Sequence, residues 1–373
     1  MTARPASGVT ADGRLRGKVR EFLAAQAVTP HCDAWMSQFD PAFSRALAQR
    51  GWIGMTWPAR YGGADAVERD RLVVMEELLA AGAPVAAHWF ADRQIGPALL
   101  RHGSPEQRAR YLPAITAGEC FFAIGMSEPD SGSDLASIAT VARPTETGWR
   151  ITGRKVWTSH AARAHYLLAL VRTSPRDPQQ RHAGLSQLIV DLAAPGIGIR
   201  PIQSLDGHRH FCEITLDDVD VPAGALLGRE GSGWQQVTAE LAYERSGPER
   251  FLSTAPLLWE LARRRAPHHD RQLGGLVAEL QTLRALSAGL ADALQRGAAP
   301  AREAAMVKDL GARFEAKVVD TARELLDTEP ALDSPDDLAR LLAEAIVHRP
   351  GGTLRGGTTE ILRGIIARDL VTP

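Results

Sequence analysis

Two charged residues, Glu244 and Arg245, stand side by side in the stretch LAYERSGPERF, residues 241–251. They lie between an apolar run and a Ser-Gly-Pro sequence that is typical of a turn. A glutamate on a helix is most often a solvated surface residue. In a site that excludes water, however, the same carboxylate becomes a stronger base and can remove a proton from carbon. Glu249, which lies beyond the Ser-Gly-Pro sequence, is the natural comparison because no role is assigned to it.

A second candidate for chemistry is the run FFAIGMSEPDSGSDLAS, residues 121–137. An unusually polar loop of Ser, Gly and Asp leaves directly from its apolar first half. Hydroxyls and backbone N–H groups clustered in such a loop can receive the polar parts of a cofactor. Further along, GRKVWTS places Trp157 beside Thr158 and Ser159 at the end of another predicted strand. A large aromatic face with adjacent hydroxyls suits a flat heterocycle.

Motifs for several other chemistries are missing. GIGIRP has only two of the glycines of a dinucleotide-binding turn, and GGTLRGGTTE lacks the lysine of a triphosphate-binding loop. There is no HExxH, no GxSxG and no CxxC motif. Cys32, Cys120 and Cys212 are far apart in the chain. We therefore expect no metal site and no disulfide framework, and we expect the cysteines to be small core residues in a reducing compartment.

The composition restricts the partners. The 373 residues are 45% hydrophobic and include 43 basic and 44 acidic side chains, for a formal net charge of −1. This balance favours neither nucleic acid nor an anionic membrane surface. The N-terminus lacks the apolar core of a signal peptide, and no segment supplies the roughly 18 apolar residues of a membrane span. We expect a cytoplasmic protein of two or three domains.

Three stretches of different periodicity have to position the candidate residues. Helical spacing of apolar residues is followed by short alternating β-branched segments, and helical spacing then returns. The predicted fold class is a multi-domain α+β protein with an N-terminal helical domain (1–118), a middle β-barrel-like or sandwich domain (119–228) and a C-terminal helical bundle (229–373). The Pro/Asp-rich segment 327–337 is predicted to be a loop between two of the last helices.

Four motifs occur in a fixed order along nearly the whole chain: GMSEPDSGSD, KVWTS, CEITLDDVDVPAGALLGREGSGWQQV and GGTTEILRGIIARDL. This series resembles the acyl-CoA dehydrogenase family of flavoproteins, whose architecture is likewise helical, β and helical. The resemblance implies an FAD-dependent oxidoreductase that converts a saturated acyl-CoA into a trans-2-enoyl-CoA. It also implies an electron-transfer flavoprotein as electron acceptor, and assembly as a homo- or hetero-oligomer, either a dimer or a tetramer.

The resemblance assigns roles around the flavin. Met126 and Ser127 would lie at the pyrimidine end of the ring, and Trp157 would pack on it. Ser159 would donate towards N5, the atom that accepts hydride, and Ser133 would bond near the thioester or pantetheine. The expected cofactor contacts are Ile124, Met126, Ser127, Gly132, Ser133, Trp157, Thr158, Ser159, Thr358 and Glu360. The last two of these match residues that contact the ribityl-phosphate and adenosine portions.

The chain departs from the family pattern at the catalytic base. Most members carry this base as a Glu in a pattern like YEGTSEI, whereas this chain reads LRGGTTEI, with Gly356 in that place. Glycine cannot accept a proton, but its main-chain N–H can still stabilise the thioester oxyanion. In the branch that includes isovaleryl-CoA dehydrogenase, the base lies on a helix of the C-terminal domain in a pattern like LDLERL, which Glu244-Arg245 matches. We therefore predict Glu244 as the base, with Tyr243 and Arg245 beside the substrate.

A second departure concerns the distal half of FAD. The family usually binds the pyrophosphate through an Arg-x-x-Phe-Gly sequence of a neighbouring subunit, whereas this chain reads RRRAPHHDRQLGG without the Phe. Arg263, Arg264, Arg265 and Arg271 are the candidate replacements.

Two alternative functions stay open. One is a flavin-dependent oxygenase that needs no base, and the other is a non-catalytic subunit of a heteromeric acyl-CoA dehydrogenase.

Overall fold

The order of elements is helical, then β, then helical, which confirms the predicted fold class. The computed structural model describes residues 11–298 and 300–371, with side chains except at 11, 241–244, 246 and 369–371. The helices before the first strand are α1 (Ala11–Ala25), α2 (Ala34–Ser37), α3 (Pro41–Ala48), α4 (Glu68–Ala80), α5 (Ala86–Phe90), α6 (Gly96–His102) and α7 (Pro105–Thr116).

Local sequence signals set several of these helix starts. Asp40 accepts hydrogen bonds from two backbone N–H groups in the first turn of α3. Ser104 and Gln107 form a reciprocal capping box at the start of α7, in which each side chain accepts from the other residue's N–H. Between α5 and α6 the chain widens into a π-helical segment, Ala91–Ile95, that buries the charged pair Asp92 and Arg93. Such π-helical turns are often found at functional sites.

The middle of the chain forms one sheet. Its strands are β1 (Phe122–Gly125), β2 (Val141–Pro144), β3 (Gly148–Ser159), β4 (Tyr166–Arg172), β5 (Leu185–Asp191), β6 (Ile197–Ile202), β7 (Phe211–Pro222) and β8 (Leu226–Leu227). Their order is β6-β7-β3-β2-β4-β5-β8, with β1 parallel to β4. β4 is buried on both faces, because Leu168 packs into the core shared with the helices and Leu167 into the sheet's own core.

The remaining helices return to the core that the first helices began. They are α8 (Gly233–Ser246), α9 (Ala255–Arg263), α10 (Asp270–Gln295), α11 (Ala301–Leu325), α12 (Asp337–Gly352) and α13 (Thr359–Val371). The loop between α11 and α12 falls on the predicted segment 327–337. The break after α8 lies at the Ser-Gly-Pro sequence, because Pro248 has no N–H to continue the helix. All three cysteines are buried and free, as expected.

A buried ion pair fixes the polar loop that follows β1. Lys155 in β3 is fully buried, and its Nζ lies 2.8 Å from Glu128 Oε1 and 3.2 Å from the carbonyl oxygen of Met126. The Glu128 carboxylate also accepts the N–H groups of Ala139 and Thr140 at 2.6 and 3.0 Å. Burial lowers the pKa of Lys155 to about 8, although the Glu128 charge opposes that shift. The loop is thus pinned at both of its ends.

Removing the Glu128 charge should destabilise the protein, because the Lys155 side chain stays buried without its carboxylate partner. Glu128→Gln leaves the Lys155 ammonium buried and unpaired, and we expect it to lower the free energy of unfolding by about 3–5 kcal/mol. The measurement is urea denaturation followed by circular dichroism. The double variant Glu128→Gln/Lys155→Met removes the unpaired charge and should recover most of the loss. Equal losses in the single and double variants would contradict the pinning role of the ion pair.

Candidate active site

Arg245, near the end of α8, contacts the turn between α12 and α13. Its Nε donates to the carbonyl oxygen of Gly356 at 2.9 Å, across 111 residues of sequence. Gly356 and Gly357 have φ angles of 67° and 98°, which favour glycine, and a Cβ at Gly357 would lie 3.1 Å from Arg245 Nη2. The two glycines therefore let the turn approach the guanidinium. The structure brings together the two regions in which the sequence places catalytic candidates.

The side chains of Tyr243 and Glu244 lie outside the described residues, although the backbone of both belongs to α8. Glu244 directly precedes Arg245, so its backbone lies within the same helical turn as the residue that contacts Gly356. Arg245 itself is buried, with 7% of its surface exposed. The assignment of Glu244 as base stays a prediction.

Glu249, for which no role was expected, is one of the most tightly held carboxylates of this region. It is 2% exposed, and its two oxygens lie 3.1 Å from Arg93 Nη1 and 3.5 Å from Arg250 Nε. Gly247 is required beside this pair, because a Cβ there would lie 2.0 Å from Arg93 Nη1. The ion pair between Arg93 and Glu249 therefore locks the π-helical segment against the end of α8. Glu249 has a structural role, which its position beyond a turn signal did not reveal.

A second acid lies close to the Gly356 turn. Glu315 of α11 lines a cavity of about 20 Å³, room for about one water molecule, together with His348 and Arg355. Its Oε1 accepts the N–H of Ser253 at 2.7 Å. Burial and the nearby Asp33 charge raise the pKa of Glu315 to about 7. Glu315 is therefore the carboxyl group that experiments have to distinguish from Glu244.

The predicted flavin side of the site is built from the ends of β1 and β3. Ile124 is half-buried in β1, and Met126 and Ser127 follow it. The carbonyl of Ser127 accepts the N–H of Val156 at 3.0 Å, which holds the two strand ends together. Ser159, which is 9% exposed, ends β3. Four of the expected cofactor contacts thus lie in or directly after β1 and β3.

Trp157 and Thr158 suit a flat, polar ligand. Trp157 is 58% exposed, and its φ of 57° is unusual for a bulky side chain, so its backbone is strained. An irregular register between β3 and β7 at Lys155 to Thr158 accompanies this conformation. The hydroxyl of Thr158 is buried with no hydrogen-bond partner among the described residues. An exposed aromatic ring beside an unpaired buried hydroxyl fits a flavin ring in this position.

The other expected contacts lie in the loop after β1 and at the start of α13. Gly132 and Ser133 are exposed in the loop after β1. Thr358 caps α13, since its hydroxyl accepts the N–H of Ile361 at 3.4 Å. Glu360 is exposed in the first turn of α13, where hydrogen bonds from its own backbone N–H and from Thr358 lower the pKa of its carboxyl group. All four residues are at least partly exposed to solvent, so a ligand can reach them.

Three of the four arginines proposed for the FAD pyrophosphate form ion pairs within this chain, and Arg271 stays a prediction. Arg263 and Arg264 both bond Glu260, at 2.6 and 2.5 Å, and Arg265 lies 3.2 Å from Asp270. These charges are compensated within this chain. The structure therefore does not favour these three side chains as ligands of a diphosphate.

Asp33 and Arg355 belong to the same region, although the sequence does not single them out. The guanidinium of Arg355 donates to both carboxylate oxygens of Asp33, at 2.5 and 3.0 Å. The two residues are 322 positions apart, so no local pattern connects them. The one sequence feature that could have pointed to this pair is Arg355 itself, which stands directly before Gly356, where the family pattern YEGTSEI has a tyrosine.

Two absences concern the described part of the chain. None of its helices combines the length and apolarity needed to cross a membrane. Within the same residues, no group of three or more His, Cys, Asp or Glu side chains is arranged to hold a metal ion.

Comparison with protein families matches three consecutive models. Residues 11–119 match the acyl-CoA dehydrogenase N-terminal domain, residues 123–219 the middle domain and residues 259–371 the C-terminal domain. Acyl-CoA dehydrogenase IpdE1 of Mycobacterium tuberculosis is 34% identical over 342 residues, which cover 88% of this chain and 87% of IpdE1. Acyl-CoA dehydrogenase FadE34 of the same organism is 32% identical over 87% of this chain but only 45% of its own length.

Solved structures agree over the full length of the chain. The structure named Tcur3481-Tcur3483 steroid ACAD has a TM-score of 0.85 at 28% identity and covers 100% of both chains. A chain of the ChsE4-ChsE5 complex from Mycobacterium tuberculosis has a TM-score of 0.84 at 27% identity, over 99% of this chain and 100% of that one. Because the domain models, the relatives and the fold all agree, this chain is a member of the acyl-CoA dehydrogenase family, an oxidoreductase of the flavoprotein class.

Proposed function

We propose that this protein is an FAD-dependent acyl-CoA dehydrogenase in which Glu244 removes the α-proton of a saturated acyl-CoA. The observation that carries the proposal is the hydrogen bond from Arg245 to Gly356. It joins the helix end that bears Glu244 to the turn where most family members carry their base. This contact supports a carboxylate on α8 as the replacement for a base carried by the turn. The reaction would give a trans-2-enoyl-CoA, with the α-proton on Glu244.

FAD would be held by Met126, Ser127, Trp157, Thr158 and Ser159. When bound, it supplies the acceptor for the β-hydride. The exposed face of Trp157 and the unpaired hydroxyl of Thr158 support this placement. The chain itself contributes the flat surface and hydrogen-bond donors that orient the ring.

The chain's remaining task is to make the α-proton removable. An α C–H beside a thioester is a very weak acid unless fixed donors stabilise the oxyanion in a site that excludes water. None of the described residues accepts a hydrogen bond from the Gly356 N–H, so this donor is available to the thioester oxygen. Burial of Arg245, Arg93 and Glu249 keeps water away from this end of α8. Desolvation there would raise the basicity of Glu244.

Glu244→Gln keeps the shape of the side chain and removes its basicity. We expect the rate of flavin reduction by an acyl-CoA, measured anaerobically in a single turnover, to fall by about 10²–10⁴-fold with flavin still bound. Glu315→Gln is the matched control, because it removes another buried carboxyl group near the turn, one whose pKa is raised to about 7. It should reduce flavin at a rate near that of the unaltered protein. The reverse pattern would move the base to Glu315, and fast reduction in both variants would favour the oxygenase alternative.

We propose that the active assembly is heteromeric. The names of two similar solved structures, Tcur3481-Tcur3483 and ChsE4-ChsE5, each refer to two different proteins. Arg263, Arg264 and Arg265 are compensated by acids of this chain, which leaves Arg271 as the remaining candidate of the four and supports a contribution from another subunit to the pyrophosphate site. An acyl-CoA with a ring-bearing acyl group is the proposed substrate class, supported by the neighbour named a steroid ACAD. An electron-transfer flavoprotein is the proposed acceptor.

The content of bound flavin tests this assembly. Purified alone, the chain should retain little FAD, measured from the flavin absorption bands relative to protein. Copurified with a second acyl-CoA dehydrogenase chain of its own organism, it should become yellow and elute as a larger species. Full FAD occupancy of the chain alone would contradict the heteromeric assignment. It would leave the dehydrogenase assignment in place.

A further inference from the structure

A bidentate ion pair ties the Gly356 turn to the N-terminal part of the chain. Arg355 donates two parallel hydrogen bonds to Asp33, at 2.5 and 3.0 Å, and its guanidinium carbon lies 5.0 Å from the ring centroid of Trp35. Asp33 is 2% exposed. Two parallel bonds and a stacked aromatic ring allow the guanidinium a single orientation.

Asp33 is itself held in place. Its φ of 56° lies in the left-handed region, and its N–H donates to the carbonyl of Ser253 at 2.8 Å. Trp35 Nε1 donates to the hydroxyl of the same serine at 2.9 Å. Burial disfavours the charge on Asp33, but Arg355 and His348 more than offset it, so the pKa of Asp33 is lower than usual. The anchor of Arg355 is thus a fixed carboxylate.

The turn needs such an anchor because its own backbone is permissive. Gly356 and Gly357 both have positive φ, and neither has a side chain that packs. Arg245 holds the carbonyl of Gly356 from one side, and Asp33 holds Arg355 from the other. The peptide group that links Arg355 to Gly356 carries the Gly356 N–H. These two contacts, of Arg245 with Gly356 and of Arg355 with Asp33, therefore fix the orientation of that N–H.

We propose that Asp33 is a positioning residue for the dehydrogenation. It does not touch the substrate; through Arg355 it aims the Gly356 N–H at the thioester oxygen. This inference rests on the proposed function, in which that N–H stabilises the oxyanion. Loss of a well-aligned donor of this kind costs about 10²–10³-fold in rate, and misalignment costs part of that.

The direct test measures enolate formation without turnover. A 3-thiaacyl-CoA has sulfur in place of the β-carbon, so it can lose its α-proton to the base but has no β-hydride to give. Its enolate forms a long-wavelength charge-transfer band with oxidised flavin. The pH midpoint of that band reports the stabilisation of the oxyanion. In the flavin-containing holoenzyme, Asp33→Asn should raise the midpoint by about one pH unit, which is about tenfold weaker stabilisation.

The matched control is Glu344→Gln. Glu344 on α12 holds the same N-terminal segment, because its oxygens accept from His31 Nδ1 at 2.8 Å and from the N–H of Cys32 at 2.9 Å. It also pairs with Arg340 at 3.0 Å, and no contact with the Gly356 turn is found among the described residues. This variant should lower the free energy of unfolding while the midpoint of the charge-transfer band stays unchanged. In steady state, Asp33→Asn should lower kcat by about tenfold and leave KM within about twofold.

Two results would overturn the proposal by itself. One is an unmoved midpoint in Asp33→Asn. The other is an equal shift in Glu344→Gln, because any loosening of the segment around Asp33 would then move the midpoint. If Asp33→Asn does not fold, Arg355→Lys keeps the charge without the two parallel bonds and should show the same shift. A missing band in the unaltered holoenzyme would instead overturn the proposed function, and the role of Asp33 with it.

Discussion

The hydrogen bond between Arg245 and Gly356 is the contact on which the rest of the site depends. It is favoured by two consecutive glycines, whose positive φ angles let the turn come close to a buried guanidinium. It also requires α8 to stop where it does, and the ion pair of Glu249 with Arg93 holds that helix end in place. A change to any of these elements would move the helix end relative to the turn. This bond joins the helix that carries the proposed base to the turn that carries the proposed oxyanion donor.

Much of the fold could be predicted from local patterns. The order of helical and β stretches, the break at Ser-Gly-Pro and the loop between α11 and α12 all follow from hydrophobic periodicity and turn residues. The domain limits after residues 118 and 228 stay predictions. In the site, the motifs placed Ser127 after one strand and Trp157 near the end of another, and Ser127 follows β1 while Trp157 lies near the end of β3. Each of these features depends on residues that are close in sequence.

The missed features all depend on distant partners. The sequence assigned no role to Glu249, yet it is buried and pairs with Arg93, 156 positions away. The pair of Asp33 and Arg355 likewise joins opposite ends of the chain. Contacts of this kind become visible only when the packing of the three parts is known.

The most direct test of the central claim is the carbonyl stretching frequency of a bound thioester, measured by difference infrared spectroscopy with an acyl-CoA labelled with ¹³C at C1. Fixed donors that polarise the oxygen weaken the C=O bond. The account predicts a band at clearly lower frequency than that of the same thioester in water, retained in Glu244→Gln because the donor is a main-chain N–H. A band at the frequency of the free thioester would contradict it, because the Gly356 turn would then not act on the substrate.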